Sequence, residues 1–274
     1  MSRLRLALIA RSAALAAALA ATNTTAKTVC TAFADANTGT TLLEQGDCTS
    51  RVTPASTFKI AISLMGYDAR FLKDAHAPTL PFREGYLDWG GDNWRKPIDP
   101  SSWMKYSVVW YSQQVTTKLG AARFQHYVDA FDYGNRDVSG APGKHDGLTM
   151  SWIGSSLKIS PKEQLTFLRK VVTRTLPVSA HAFEMTGEVV PAVPDVDGWR
   201  VHGKTGTGSP KGPDGQSDTA HAYGWFVGWV SKGARTLVFA RLIQDDKDED
   251  ELAGLRARAA FVAELPALLK QAIQ

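Results

Sequence analysis

The stretch Pro54-Ala55-Ser56-Thr57-Phe58-Lys59 places a serine three residues before a lysine at the expected start of a helix. Positions i and i+3 are neighbours on one helix face, so Ser56 and Lys59 can touch. A serine hydroxyl is a poor nucleophile at its own pKa, and an adjacent base is one way to activate it. Lysine serves as that base where burial or nearby charge lowers its pKa. The flanking Phe58, Ile60, Ala61, Ile62, Leu64 and Met65 are apolar and suit burial. Ser107-Val108-Val109 and Lys204-Thr205-Gly206 fit the same site. Together these side chains suit acyl transfer, which needs a nucleophile, a base, an oxyanion hole, a proton relay and an anchor for the substrate.

The elements that must position these groups follow from periodicity and turn chemistry. Thr28–Ala34 and Thr40–Glu44 read as a hairpin around Asp35-Ala36-Asn37-Thr38-Gly39. The helix bearing Ser56 is expected to run to about Ala69, and residues 73–102, rich in proline and glycine, to be irregular. Trp89, Trp94 and Trp103 suggest that this region is packed down. Helical spacing covers Gln113–Phe131. Ser160-Pro161-Lys162-Glu163 carries a serine cap, a proline at the first helical position and a glutamate three after the cap, starting a helix to about Arg174. A short helix follows near Ser179–Val189, then strands at Trp199–Lys204, leading into a K-T-G turn, at Ala222–Val230 and at Arg235–Ile243. Asp245–Glu251 reads as a solvated helix start, and Leu252–Gln274 as a final amphipathic helix. Strands at both ends with helices between predict an α+β protein: an antiparallel β-sheet flanked by terminal helices, with an all-helical subdomain over roughly residues 70–195.

The chain has 274 residues, 44% of them hydrophobic, with eight tryptophans and eleven phenylalanines, which suits a packed core and argues against disorder. Net charge is +4, but Arg3, Arg5 and Arg11 fall in the first 26 residues, which hold no acid; the remainder carries 28 basic and 27 acidic residues, or +1. The basicity is therefore a targeting feature and not a nucleic-acid footprint. Residues 1–26 read as a secretory signal, closing near Ala18-Leu19-Ala20 or Thr24-Thr25-Ala26; the apolar run is too short for a spanning helix. Residues 27–274 are then the exported catalytic domain, periplasmic and with no membrane segment in the mature form. Export permits a disulfide between Cys30 and Cys48 across the hairpin, worth about 3 kcal/mol at most; two buried free thiols are the alternative. No histidine lies close to either, so no metal site is expected.

The ordered set Ser56-Thr57-Phe58-Lys59, Ser107-Val108-Val109, Tyr133-Gly134-Asn135, Trp152 with Ser155-Ser156-Leu157-Lys158-Ile159-Ser160, and Lys204-Thr205-Gly206-Thr207 resembles the class D (OXA-type) serine β-lactamases across nearly the whole mature chain. S-x-x-K with K-T-G belongs to penicillin-interacting serine acyl enzymes; S-x-V in place of S-x-N, and Y-G-N, point to class D. The resemblance implies a serine β-lactamase / penicillin-binding transpeptidase-like fold and hydrolysis of penicillins and related β-lactams through an acyl-enzyme on Ser56. It implies carboxylation of Lys59 by carbon dioxide or bicarbonate to a general base, with no other cofactor. The backbone N–H groups of Ser56 and Thr207 then form the oxyanion hole. Ser107 relays a proton, Lys204 and Thr205 meet the substrate carboxylate beside Gly206, Val109 walls the lysine pocket, and Trp152 donates its indole N–H to the carbamate. Tyr133 and Asn135 are expected in the substrate-binding set, and Arg256 as a carboxylate anchor, with Arg241 as a rival and Arg258 on a solvated face. The only partner expected is a small-molecule β-lactam; monomer or homodimer stays open. Two rivals share the motifs: a penicillin-binding D,D-peptidase, which hydrolyses the acyl-enzyme slowly, and a β-lactam sensor domain tethered to a transmembrane module. Leu87–Trp103 and Gly208–Thr219 are the loops expected to set the substrate profile.

Overall fold

The computed structural model describes residues 26–274; the leader expected over residues 1–26 lies, but for Ala26, outside them. The elements run β1 (Lys27–Asp35), β2 (Thr41–Gly46), α1 (Lys59–Asp68), α2 (Pro100–Tyr106), α3 (Val109–Leu119), α4 (Ala121–Phe131), α5 (Gly147–Gly154), α6 (Pro161–Val172), α7 (Ala180–Val189), β3 (Ala192–Val196), β4 (Trp199–Gly208), β5 (Tyr223–Lys232), β6 (Arg235–Gln244) and α8 (Ala253–Ile273). The strands form one six-stranded sheet in the order β2-β1-β6-β5-β4-β3, antiparallel at every pairing. β1 from the start of the described chain lies beside β6 from its end, so the whole helical segment lies between two neighbouring strands of the sheet.

Period-two alternation gives the sheet two buried faces. Phe33, Phe226 and Phe239 point to one side and meet Phe261 of α8, with Phe239 and Phe261 stacked at 4.3 Å. Ala32, Trp225, Val227 and Ala240 point to the other, toward α1 and the helices that follow it. Cys30 and Cys48 form the expected disulfide and tie β1 to the loop beyond β2. Among the described residues no helix is long and apolar enough to cross a membrane.

Several boundaries differ from expectation for local reasons. The helix expected over Gln113–Phe131 is two, α3 and α4, because Gly120 takes φ +77° and ψ 162° between them. Side-chain spacing persists through the break, so periodicity alone hides it. β3 and α5 had no expected counterpart: β3 carries Pro194, and α5 is short and mostly apolar, with Thr149 and Ser151 too few to mark a polar face with a 3.6-residue rhythm. Lys204-Thr205-Gly206 lies inside β4 rather than at a turn. The tryptophans of the irregular region divide: Trp94 and Trp103 are buried, whereas Trp89 is 61% exposed. Asp245, expected on a solvated helix start, is buried at the end of the β6 segment.

Candidate active site

Ala55–Phe58 forms one 3-10 turn that runs into α1 at Lys59. Ser56 thus lies in the turn before the α-helix, and Lys59 opens that helix. Lys59 Nζ and Ser56 Oγ are 3.0 Å apart in a hydrogen bond. Lys59 is fully buried while Ser56 keeps some exposure. Burial, and after it the charge of Lys204, hold the Lys59 pKa well below its ordinary 10.5. Both effects favour the neutral amine, the form with a lone pair.

The second serine–lysine pair comes from the helical segment and the sheet. Asp99 caps α2 by accepting from the Ser102 N–H at 2.7 Å. The helix ends at Ser107, which takes φ +59° at the corner before α3. Lys204 on β4 reaches that corner and donates from Nζ to Ser107 Oγ and to the Thr205 carbonyl, each at 3.0 Å. Burial first, then the positive charge of Arg258, lower the Lys204 pKa to about 7.

Strand geometry aims the rest of β4. Side chains at 204, 206 and 208 share one face, the face toward Ser107 and the nucleophile turn. Backbone groups alternate between the two edges in the same way. Gly203 donates its N–H to Pro191 on the β3 side, so Thr205 and Thr207 turn their N–H and C=O to that edge as well. β3 pairs only with residues Trp199–His202. Beyond them the edge bearing Thr205 and Thr207 has no strand partner. On its far face Thr207 accepts at Oγ1 from the Gly254 N–H of α8, 2.9 Å away.

The remaining expected residues divide. Trp152 is fully buried with its ring 5.8 Å from Phe58, the residue before Lys59, and its Nε1 is a buried donor without a protein partner. Val109 is buried at the start of α3, which packs against α1. Tyr133 and Asn135, expected among the substrate contacts, both bond to other parts of the chain. The Tyr133 ring is fully buried between Phe58 and Phe167, and its hydroxyl accepts from Gln164 at 3.4 Å. Asn135 donates to the Ser156 carbonyl at 2.8 Å and accepts from the Lys158 N–H at 2.9 Å, clamping the segment after Trp152. Arg256 pairs with Asp245 at 2.5 Å and donates to the Glu251 carbonyl. Arg241 is buried against Glu264 and Phe261. Arg258 is exposed, and it is the arginine whose charge reaches Lys204. It lies one helical turn beyond Gly254, hence on the face that meets β4. Thr53, Tyr223, Trp225 and Gln164, which also bear on the nucleophile turn, belong to no short motif, and no sequence signal marks them. Among the described residues no group of three or more His, Cys, Asp or Glu could hold a metal ion.

Comparisons with known proteins agree with this geometry. Residues 15–267 match the family model described as penicillin binding protein transpeptidase domain. The chain is 45% identical over 240 residues to β-lactamase OXA-9 of Klebsiella pneumoniae, covering 88% of each chain. It is 36% identical over 233 residues to β-lactamase OXA-1 of Escherichia coli, covering 84% of this chain and 80% of that one. The crystal structure of the class D β-lactamase OXA-427 superposes with a TM-score of 0.83 at 53% identity, over 89% of this chain and 99% of that one. With two buried lysines each bonded to a serine at one sheet edge, these likenesses make the chain a member of the penicillin-binding transpeptidase-domain family and, within it, a class D serine β-lactamase, an enzyme of β-lactam resistance.

Proposed function

We propose that the enzyme hydrolyses penicillins and related β-lactams through an acyl-enzyme on Ser56, with Lys59 carboxylated as the general base. The observation that carries this reading is the 3.0 Å pairing of a half-buried Ser56 with a fully buried Lys59. Only a neutral amine adds carbon dioxide, and burial, by lowering the Lys59 pKa, favours that form. The unpartnered Trp152 Nε1 supports the same reading, since a buried N–H without an acceptor is costly. A carbamate on Lys59 supplies an anionic oxygen base beside Ser56.

The chain's residues then divide the work. Ser56 Oγ attacks the lactam carbonyl as its proton passes to the Lys59 side chain. The N–H groups of Ser56 and Thr207 receive the developing oxyanion. Ser107, held by Lys204, gives a proton to the leaving nitrogen as the C–N bond breaks. Water activated on the Lys59 side then releases the acyl group. Lys204, Thr205 and an arginine of α8 attract the substrate carboxylate. Val109 excludes water from the lysine pocket, and Tyr133 and Asn135 hold the turn and the Trp152 segment in place. Residues 27–274 act as one catalytic domain in the periplasm once the leader is removed.

The test is hydrolysis of a chromogenic cephalosporin and of oxacillin by the chain without residues 1–26, with and without bicarbonate and after carbon dioxide depletion. Fast turnover, lost on depletion and restored by bicarbonate, is expected. Turnover indifferent to bicarbonate removes the carboxylation step, and one stoichiometric burst without turnover removes hydrolysis.

A further inference from the structure

The two proposed oxyanion donors sit on different elements: Ser56 in the turn before α1, Thr207 on β4. A precise hole requires that these elements share one frame, and neither motif supplies the tie. The turn also has its own difficulty. Ala55, directly before Ser56, is buried at φ +49°, a conformation that residues with a Cβ rarely adopt and that persists only where the surroundings over-determine it.

The chain on both sides of Ala55 is pinned. After it, the Thr57 N–H and hydroxyl both donate to the Pro54 carbonyl, at 3.1 and 2.7 Å, and Gln164 donates to Thr57 Oγ1 at 3.0 Å. Before it, Thr53 is bonded to two other elements. Its carbonyl accepts from Trp225 Nε1 at 3.0 Å. Its hydroxyl donates to the Ile153 carbonyl of α5 at 3.4 Å and pairs with the Tyr223 hydroxyl. Either hydroxyl can be the donor of that pair. Thr53, Tyr223 and Trp225 are all buried, at 6%, 4% and 0% exposure.

The register gives this cluster its meaning. On β5, Trp225 stands opposite Gly206 and Tyr223 opposite Gly208, the residues on either side of Thr207. Directly opposed residues in an antiparallel pair share a face. A Cβ on Gly206 would lie 3.0 Å from the Pro54 oxygen and 3.1 Å from the Ser56 nitrogen; one on Gly208 would lie 2.5 Å from the Tyr223 hydroxyl. The two glycines let the turn and the tyrosine close down on β4.

We propose that Tyr223 is a positioning residue for Ser56: with Trp225 beside it, it suspends the nucleophile turn from Thr53 on the strand next to β4, so that the Ser56 and Thr207 N–H groups are held in one frame. The inference rests on Ser56 being the acylated serine. Its loss misplaces the turn without touching the substrate's anchors, and displacements of an ångström or less are enough to slow an oriented reaction.

The experiment measures acylation by a fluorescent penicillin under single-turnover conditions, over a range of reagent concentration, with peptide mapping of the adduct and a thermal melt to normalise for folded protein. The proteins are wild type, Ser56→Ala, Tyr223→Phe, Thr53→Val, Thr53→Ser and the Tyr223→Phe/Thr53→Val double variant. Tyr223→Phe and Thr53→Val are each expected to lower the saturating rate by about tenfold, with half-saturation moved less than about twofold. Thr53→Ser keeps the hydroxyl and the rate. The double variant is no slower than the slower single, because both substitutions remove the same Thr53–Tyr223 bond. A wild-type rate in Tyr223→Phe, or multiplied losses in the double variant, overturns the inference while an adduct on Ser56 leaves the catalytic reading standing. Labelling that survives in Ser56→Ala overturns the catalytic reading itself. Should Tyr223→Phe fail to fold, Thr53→Val removes the same bond together with the one to Ile153, so that a wild-type rate in it overturns the inference and a slowed rate in folded protein supports it.

Discussion

Arg256 and Arg258 lie two residues apart on α8 and carry different duties. Arg256 is the partner of Asp245, a carboxylate only 3% exposed whose Oδ1 has no bond of its own. Removing one member of a buried pair leaves an uncompensated charge, at a cost of roughly 3–5 kcal/mol. Arg256→Ala is therefore expected to lower Tm by several degrees. Arg258 is exposed and acts on Lys204 through its field. Arg258→Ala is expected to leave Tm in place, raise KM for anionic β-lactams severalfold and let the Lys204 pKa rise. Thermal melts and KM values for both variants separate the roles; an unchanged KM in Arg258→Ala with a raised KM in a fully stable Arg256→Ala would reverse them.

At the scale of elements, α6 connects a surface signature to the nucleophile. Ser160 accepts from the Glu163 N–H at 3.3 Å while Glu163 accepts from the Ser160 N–H at 2.9 Å, a reciprocal cap. Glu163 also pairs with Arg51 of the loop before the turn. One residue on, Gln164 points inward to Thr57 and Tyr133. The cap thus fixes where Gln164 meets the turn that holds Ser56. Ser160→Ala is expected to cost about 1 kcal/mol and about 2–4 °C in Tm, measured by calorimetry, with Ser160→Thr recovering most of it. The sequence made this helix legible because capping is local chemistry. The break at Gly120 was not legible, since the apolar stripe runs on across it and only the backbone angle records the turn.

For the whole molecule, the site sets stability against activity. Lys204 is held at a pKa of about 7, against an ordinary 10.5, by burial and by Arg258. Between those values the unfolded chain binds a proton that the folded chain has released, so stability rises with pH across that window. The slope is at most about 1.4 kcal/mol per pH unit for this one lysine. Over the same interval Lys204 loses the charge that attracts a carboxylate. Raising the pH from 7 to 9 is therefore expected to raise Tm while lowering kcat/KM for anionic β-lactams, kcat/KM being the parameter that reports free-enzyme pKa values. Lys204→Met should flatten the Tm curve and raise Tm at pH 7. A Tm that falls over that interval in the wild type would contradict the lowered pKa of the buried Lys204.

By itself the sequence determined the ordered motifs, the Ser56–Lys59 pair as a candidate, the capped helix at Ser160 and the alternating strands that close the sheet, because each is written in spacing over a few residues. The disulfide was legible from two cysteines flanking a hairpin. Tertiary structure decided what spacing cannot express. It brought Lys204 to Ser107 across 97 positions, turned Tyr133 and Asn135 inward as supports, and committed Arg256 to Asp245. It also placed Thr53 against Tyr223 and Trp225, some 170 residues away. The physical reason is burial: which polar group faces substrate and which must find a partner inside depends on what desolvates it, and that is settled only when distant elements close over one another.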